Sequence, residues 1–267
     1  MKQRSMLIDI TRCVGCGACM EACMQAHGHT GSIDEVKDLS PTALTVLVER
    51  EDLYVRKMCM HCLHPTCVSV CPVGALHKLD DGPVVYEAAR CLGCRYCMQA
   101  CPFNVPRYEW DKAVPGVAKC DFCAERWKHG DIPACAAACP EAATVYGARE
   151  ELLAEAHRRI DANPDAYYPH VYGEHEVGGT SMLFLSPVSF EQLGFKHSLP
   201  LEPLPMRTWA ALSHVPDVIS IGGALLLGIW WITKRRQDVA EAEAAERLAA
   251  AAPVSPKEVV HDTHETT

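Results

Sequence analysis

Sixteen cysteines in 267 residues fall into four sets of four, with none left over. Set one is Cys13, Cys16, Cys19 and Cys23 in CVGCGACMEAC, and set two is Cys59, Cys62, Cys67 and Cys71 in CMHCLHPTCVSVCP. Set three is Cys91, Cys94, Cys97 and Cys101 in CLGCRYCMQACP, and set four is Cys120, Cys123, Cys135 and Cys139 in CDFCAERWKHGDIPACAAACP. Sets one and three share the spacing C-x2-C-x2-C-x3-C; set two widens the middle gap to four residues and set four to eleven. The shared spacing is that of the bacterial ferredoxin run.

The spacing has a physical reason. A cubane of four irons needs one thiolate per iron, and three closely spaced cysteines wrap three corners in one loop. The fourth is expected to start a helix-like run and to ligate the other cluster of a pair. Gly15 and Gly93, just before a second cysteine, allow positive φ and close backbone approach. Pro72, Pro102 and Pro140 follow the last cysteine of three sets, whereas set one has Met24 there. Zinc and disulfides are the alternatives. Structural zinc sites pair two separated CxxC knuckles, a different pattern, and disulfide scaffolds are usually shorter chains. No CxxC is followed by His, which excludes an attached c-type haem.

Only twenty positions separate Cys71 from Cys91, which suits a compact two-cluster unit. Crosswise ligation then gives Cys59, Cys62, Cys67 and Cys101 for one cluster (C), and Cys91, Cys94, Cys97 and Cys71 for the next (D). Sets one and four pair around that insert. They give Cys13, Cys16, Cys19 and Cys139 (A), and Cys120, Cys123, Cys135 and Cys23 (B). Pairing one with two and three with four is the competing arrangement, and it stays open. Arg12, Arg90 and Lys119 each precede the first cysteine of a set, and Lys57 stands two before Cys59. A cation there would raise the potential of an anionic cluster. His27, His29, His61 and His64 lie nearby and read as loop or packing residues, because the cysteine count is already complete.

A net charge of −9 argues against a nucleic-acid partner. The stretch MKQRSMLIDITRC has neither an apolar run nor a twin arginine, so no export signal is expected. ALTVLVERE and DLYVRK read as a hairpin, and REELLAEAHRRI places Leu152, Leu153, Ala156 and Ile160 on one helical face. GGTSMLFLS reads as a glycine turn with a short strand, and PLEPLP (200–205) as an extended linker. Val218–Thr233 is sixteen residues without formal charge; with Pro216 and Asp217 as the helix start it is eighteen, about 27 Å of helix. That is the short end of a membrane span, with a buried or interfacial helix as the alternative. Trp230 and Trp231 sit at belt height, and Lys234, Arg235 and Arg236 put the following side in the cytoplasm. Gly222, Gly223 and Gly228 offer a smooth face to another membrane helix. The Ala- and Glu-rich residues after Arg236 are expected to be mobile.

CMHCLHPTCVSVCP, CRYCMQACPFNVPRY and YPHVYGEHEVGGTSMLFLSPVSFEQLG, together with the order of the sets, resemble a known family over residues 6 to 236. They are similar to the four-cluster iron–sulfur subunits of membrane-bound respiratory oxidoreductases, as in the beta subunit of formate dehydrogenase and the ferredoxin-like subunit of hydrogenase-2-type uptake hydrogenases. The wide gap in set four resembles the former; CRYCMQACPFNVPRY and LSPVSFEQLG resemble the latter. The resemblance implies an α+β fold of two pseudo-symmetric bacterial-ferredoxin-like modules with four [4Fe-4S] clusters, plus one C-terminal transmembrane helix. It also implies the pairing of set one with set four. The expected partition is 1–148 for the double iron–sulfur domain, 149–205 for an extension and linker, 206–236 for the transmembrane segment and 237–267 for a cytoplasmic tail.

The implied role is electron relay, without a catalytic residue of its own. Electrons pass from a molybdopterin or nickel–iron catalytic subunit to an integral membrane quinone-reactive or cytochrome b subunit in the lipid of a bacterial inner membrane. The cluster domain is expected on the periplasmic face, carried there by a twin-arginine-bearing partner. The alternatives are the electron-input subunit of a quinol-dependent molybdopterin reductase, and a zinc-binding scaffold or assembly factor.

Overall fold

The computed structural model describes residues 3–113 and 115–251. The chain divides into two compact units at Trp209 and Ala210. In the first, β1 (Arg4–Asp9) leads into cysteine set one and α1 (Ala18–Ala26). A hairpin of β2 (Val46–Arg50) and β3 (Leu53–Lys57) leads to set two and α2 (Thr66–Ser69). Between sets two and three lies the hairpin of β4 (Leu76–Lys78) and β5 (Val84–Tyr86), followed by α3 (Tyr96–Ala100). The short pair β6 (Arg107–Tyr108) and β7 (Val117–Ala118) delivers the chain to set four, with α4 (Ala124–Lys128) and α5 (Ala134–Ala137). Then come β8 (Thr144–Ala148), α6 (Arg149–Ala162) and β9 (Met182–Leu185). The fold is α+β.

β1 is the central strand of its sheet, antiparallel to β8 and parallel to β9. Its alternation sorts two cores. Leu7 faces α6 with Leu152, Ala156, Leu183 and Leu185. Met6 and Ile8 face the other way, into a core with Met182, Phe184, Met58 and several cysteines. Each such large apolar side chain contributes about 1.5–3 kcal/mol on burial, and Met6 and Leu7 are fully buried. The helical face expected over 149–160 docks on this sheet, with Leu152 and Ala156 buried and Leu153 and Ile160 packed at its edge. β9 joins the same sheet, so residues 149–185 are built into the first unit.

Three local expectations are corrected. The fourth cysteine of a set does not start a helix. The third one does, because Cys19, Cys67, Cys97 and Cys135 lie in α1, α2, α3 and α5. Cys71, Cys101 and Cys139 follow those helices, and Cys23 lies inside α1. Residues 200–205 are not a free linker. Val177 N–H donates to the Pro200 carbonyl at 2.7 Å and Gly178 N–H to that of Leu201 at 2.8 Å, and α7 (Leu204–Leu212) begins within the stretch. Finally, residues 237–251, expected in a mobile tail, are helical. α8 (Val215–Ala251) is 37 residues long, about 55 Å. Ala, Glu and Arg are strong helix formers, and Lys234–Asp238 and Glu243–Arg247 add i,i+4 pairs. The rest of the expected tail, 252–267, lies outside the described residues.

Among the described residues, one helical segment, Leu204–Ala251, is long and apolar enough to cross a membrane. Its most apolar window has mean hydropathy 1.7, and none of that window is buried.

Candidate metal centre

The cysteines gather into four groups, each drawn from two sets. Cys13, Cys16, Cys19 and Cys139 line one cavity (group A). Cys23, Cys120, Cys123 and Cys135 line a second (group B). Cys71, Cys91, Cys94 and Cys97 line a third (group D). Cys62 stands close to Cys59, Cys67 and Cys101 (group C), whose charges act on it. Set one therefore meets set four, and set two meets set three. α1 packs on α5 and α2 on α3 in the same pairing.

A repeated backbone device makes the loops. The residue before each second cysteine is left-handed: Gly15 at φ 71°, His61 at 46°, Gly93 at 73° and Phe122 at 65°. That turn brings two cysteines of a set onto one side of the loop. Glycine is needed in two of the four for space as well as angle. A Cβ on Gly15 would lie 2.4 Å from Tyr54 Cζ, and one on Gly93 2.7 Å from Tyr108 Oη. His61 and Phe122 hold the strained angle with side chains, and their rings stack with centroids 5.0 Å apart. After three of the sets a second turn returns the chain. Gly74, Asn104 and Ala142, all at positive φ, donate N–H to the carbonyls of Cys71, Cys101 and Cys139 at 3.3, 3.2 and 3.4 Å.

The electrostatics follow from crowding sulfur in a dry interior. Burial, then the neighbouring cysteines, pushes the Cys62 and Cys120 thiols far up. Burial also takes Cys67 up to about 12, and Cys97 and Cys123 up to about 11. Cys71 moves the other way: burial opposes, but the N–H groups of Leu76, Val73, Ala75 and Gly74 outweigh it. Thiols like these ionise when a metal cation supplies the missing charge. A single zinc would need four sulfurs at about 2.3 Å from one centre. Among the described residues no group of three or more His, Cys, Asp and Glu side chains is set to hold a single metal ion. The sulfurs of groups A, B and D surround cavities instead.

Of the cations singled out by sequence, three turn to carboxylates, Arg12 to the buried Asp9 and the other two to surface groups. Arg12 pairs with Asp9 at 3.5 Å, Arg90 with Glu87 at 2.9 Å and Lys57 with Asp38 at 3.5 Å. Lys119 is buried, with its Nζ donating to the carbonyls of Val84 and Cys120. Two cations beside the cysteines escaped the sequence reading. Lys78 donates to the Cys62 carbonyl at 3.0 Å, and burial lowers its pKa to about 8 against the pull of Cys62, Cys59 and Cys67. Arg56 is buried among sulfurs. His27 bonds Asp121 through Nε2 at 3.0 Å and the Cys23 carbonyl through Nδ1 at 2.8 Å.

A family described as a 4Fe-4S dicluster domain matches residues 51–149. The chain is similar to the hydrogenase-2 operon protein HybA of Escherichia coli O157:H7, 37% identical over 70% of this chain and 71% of that one. It is similar also to the iron–sulfur subunit of the nitrate-inducible formate dehydrogenase of Escherichia coli K12, 35% identical over 74% of this chain and 72% of that one. A formate dehydrogenase iron–sulfur subunit of Haemophilus influenzae is 31% identical over 82% and 77%.

Proposed function

Since this chain belongs to the family of iron–sulfur subunits that includes HybA and the formate dehydrogenase iron–sulfur subunits, we propose that it is the electron relay of a membrane-bound respiratory oxidoreductase. The gathering of sixteen cysteines into four mixed groups carries this reading. Groups A, B, C and D each hold one [4Fe-4S] cluster, with the ligands given above. When bound, such clusters supply one-electron transfer. The rest of the chain positions sulfur, excludes water and sets charge. Two ferredoxin-like modules are related by pseudo-symmetry: sets one and four form the outer module, sets two and three the inner one. The double iron–sulfur domain ends near residue 148 and the extension to 205 braces it.

The electrostatic coupling between groups supports a linear order. Cys19 acts on Cys135, Cys120 on Cys59 and Cys67 on Cys97, which links A to B, B to C and C to D. Groups A and D each present an exposed cysteine, Cys16 and Cys94. Beside Cys94 stand the exposed rings of Tyr96 and Trp110, with the Arg95 guanidinium 5.0 Å from the Trp110 centroid. Electrons enter and leave at these two ends, from a molybdopterin or nickel–iron catalytic subunit to a quinone-reactive or cytochrome b subunit in the membrane.

Metal analysis tests the reading. Anaerobically purified protein is expected to hold about sixteen irons per chain with equal acid-labile sulfide. Stoichiometric zinc with little iron would make it a scaffold instead.

Sidedness follows from Lys234, Arg235 and Arg236, a run that starts within one turn after the pair Trp230 and Trp231 on α8. A basic flank stays cytoplasmic, which sets the cluster-bearing unit on the outer face. Protease added to intact spheroplasts is expected to digest that unit while a tag placed after Thr267 is protected. A protected unit with an accessible tag reverses the topology.

A further inference from the structure

Arg56 lies on β3 and is 3% exposed. Its surroundings are sulfur. Nε and Nη2 both donate to Met58 Sδ at 3.2 Å, and Nη2 also reaches Met6 Sδ at 2.8 Å and Cys135 Sγ at 3.7 Å. Nη1 donates to Thr144 Oγ1 at 3.0 Å. The side chain lines the cavity of group A beside Cys13, Cys19 and Cys139. Met6, Met58 and Cys135, which accept its hydrogen bonds, line the cavity of group B. Arg56 is thus part of the wall between the two.

A guanidinium is always charged, and burying it without an opposite charge is strongly unfavourable. Among the described residues no carboxylate forms an ion pair with Arg56. The charges that act on it include those of Cys135, Cys19 and Cys120 and of Cys13, two from each group. Thioethers and a hydroxyl orient the guanidinium but do not neutralise it. Its planar fork reaches sulfurs on both sides, which a lysine ammonium at one point would not do.

We propose that Arg56 is the shared counter-ion of groups A and B, raising the reduction potential of both clusters above those of a pair that faces each other without it. Each cluster gains one negative charge when it accepts an electron. A cation between them stabilises the reduced form more than the oxidised form. The proposal rests on the reading of groups A and B as [4Fe-4S] sites.

Redox titration followed by paramagnetic resonance tests it on the anaerobically purified full chain, with signals assigned through Cys16→Ser and Cys123→Ser. Arg56→Met is expected to keep its iron while the reduction equilibria of A and B each fall at least tenfold, which is 59 mV for one electron. Groups C and D are expected to move by less than half as much. Met58→Glu, which neutralises Arg56 in place without opening a cavity, is expected to lower A and B in the same selective way. It carries the test if Arg56→Met loses iron. Iron-replete variants with A and B unmoved would overturn the proposal, as would an equal fall of all four. Wild-type protein without the iron and signals of A and B would instead remove the site reading itself.

Discussion

Cys101→Ser is expected to cost the protein one cluster, taking iron from about sixteen to about twelve atoms per chain. The paramagnetic signal lost is expected to be the one that Cys62→Ser also removes. By position Cys101 closes set three, yet its thiol faces set two. Burial raises its pKa, the Val105 N–H opposes this, and Cys59 raises it further. Cys101 in turn acts on Cys62 and Cys67. α3 ends at Ala100 and Cys101 follows it in extended backbone, outside the cavity that Cys91, Cys94 and Cys97 line. Group C is an interior step of the proposed relay, because Cys59 acts electrostatically on Cys120 and Cys97 on Cys67. Its loss is expected to stop transfer from the catalytic partner to quinone, while that partner still reduces a soluble dye. A Cys101→Ser signal that matches Cys94→Ser would sink the crosswise assignment. Undiminished quinone reduction would sink the linear order.

The cysteine loops were the most legible part of the chain because their information is local. Spacing of two and three residues, Gly15 and Gly93 all act within one turn, and the backbone does at Gly15 and Gly93 what the absence of a Cβ allows. The helix within each set was misread by one cysteine. In sets one and three a left-handed residue, Gly17 or Arg95, stands just before the helix and re-aims the chain there. The eleven-residue gap of set four holds α4, whose start is set by the left-handed Cys123 rather than by a capping side chain. Long-range pairing was beyond a local reading. Nothing in MLFL says that it runs parallel to RSMLID across more of the chain than lies between any two cysteine sets. Arg56 was hidden by its strand. In LYVRK an arginine reads as the solvent side of a hairpin, whereas Val55 and Arg56, on opposite faces of β3, are both buried. The apolar segment was legible by composition, but its helix runs on because the following residues favour helix whether or not they touch anything.

Arg159→Met is expected to destabilise the first unit by about 3 kcal/mol, at the lower end of what removing one partner of a buried ion pair costs. Asp9, at the end of β1, is fully buried. Its Oδ2 accepts from Arg159 Nη1 at 2.9 Å and from the Tyr167 hydroxyl at 3.0 Å, and its Oδ1 accepts from the Thr11 N–H at 3.1 Å. Arg12, half exposed, reaches it only at 3.5 Å. Without Arg159 the carboxylate keeps two neutral donors and loses its close buried cation, which is why the lower end of the range applies. In a unit of this size that cost corresponds to roughly 6–12 °C in Tm, read as the temperature at which the cluster absorbance collapses. The position makes the loss visible at the metal. Asp9 caps the short turn that carries Ile10–Arg12 into Cys13, so group A is expected to bleach before the others. The double variant Asp9→Asn with Arg159→Met removes both charges and is expected to recover more than half of the loss, because the penalty comes from the stranded carboxylate. A single-variant cost below about 1 kcal/mol would mean the pair behaves like a surface ion pair. A double variant no better than the single would mean that the lost packing of Arg159 against β1, rather than charge, sets the cost.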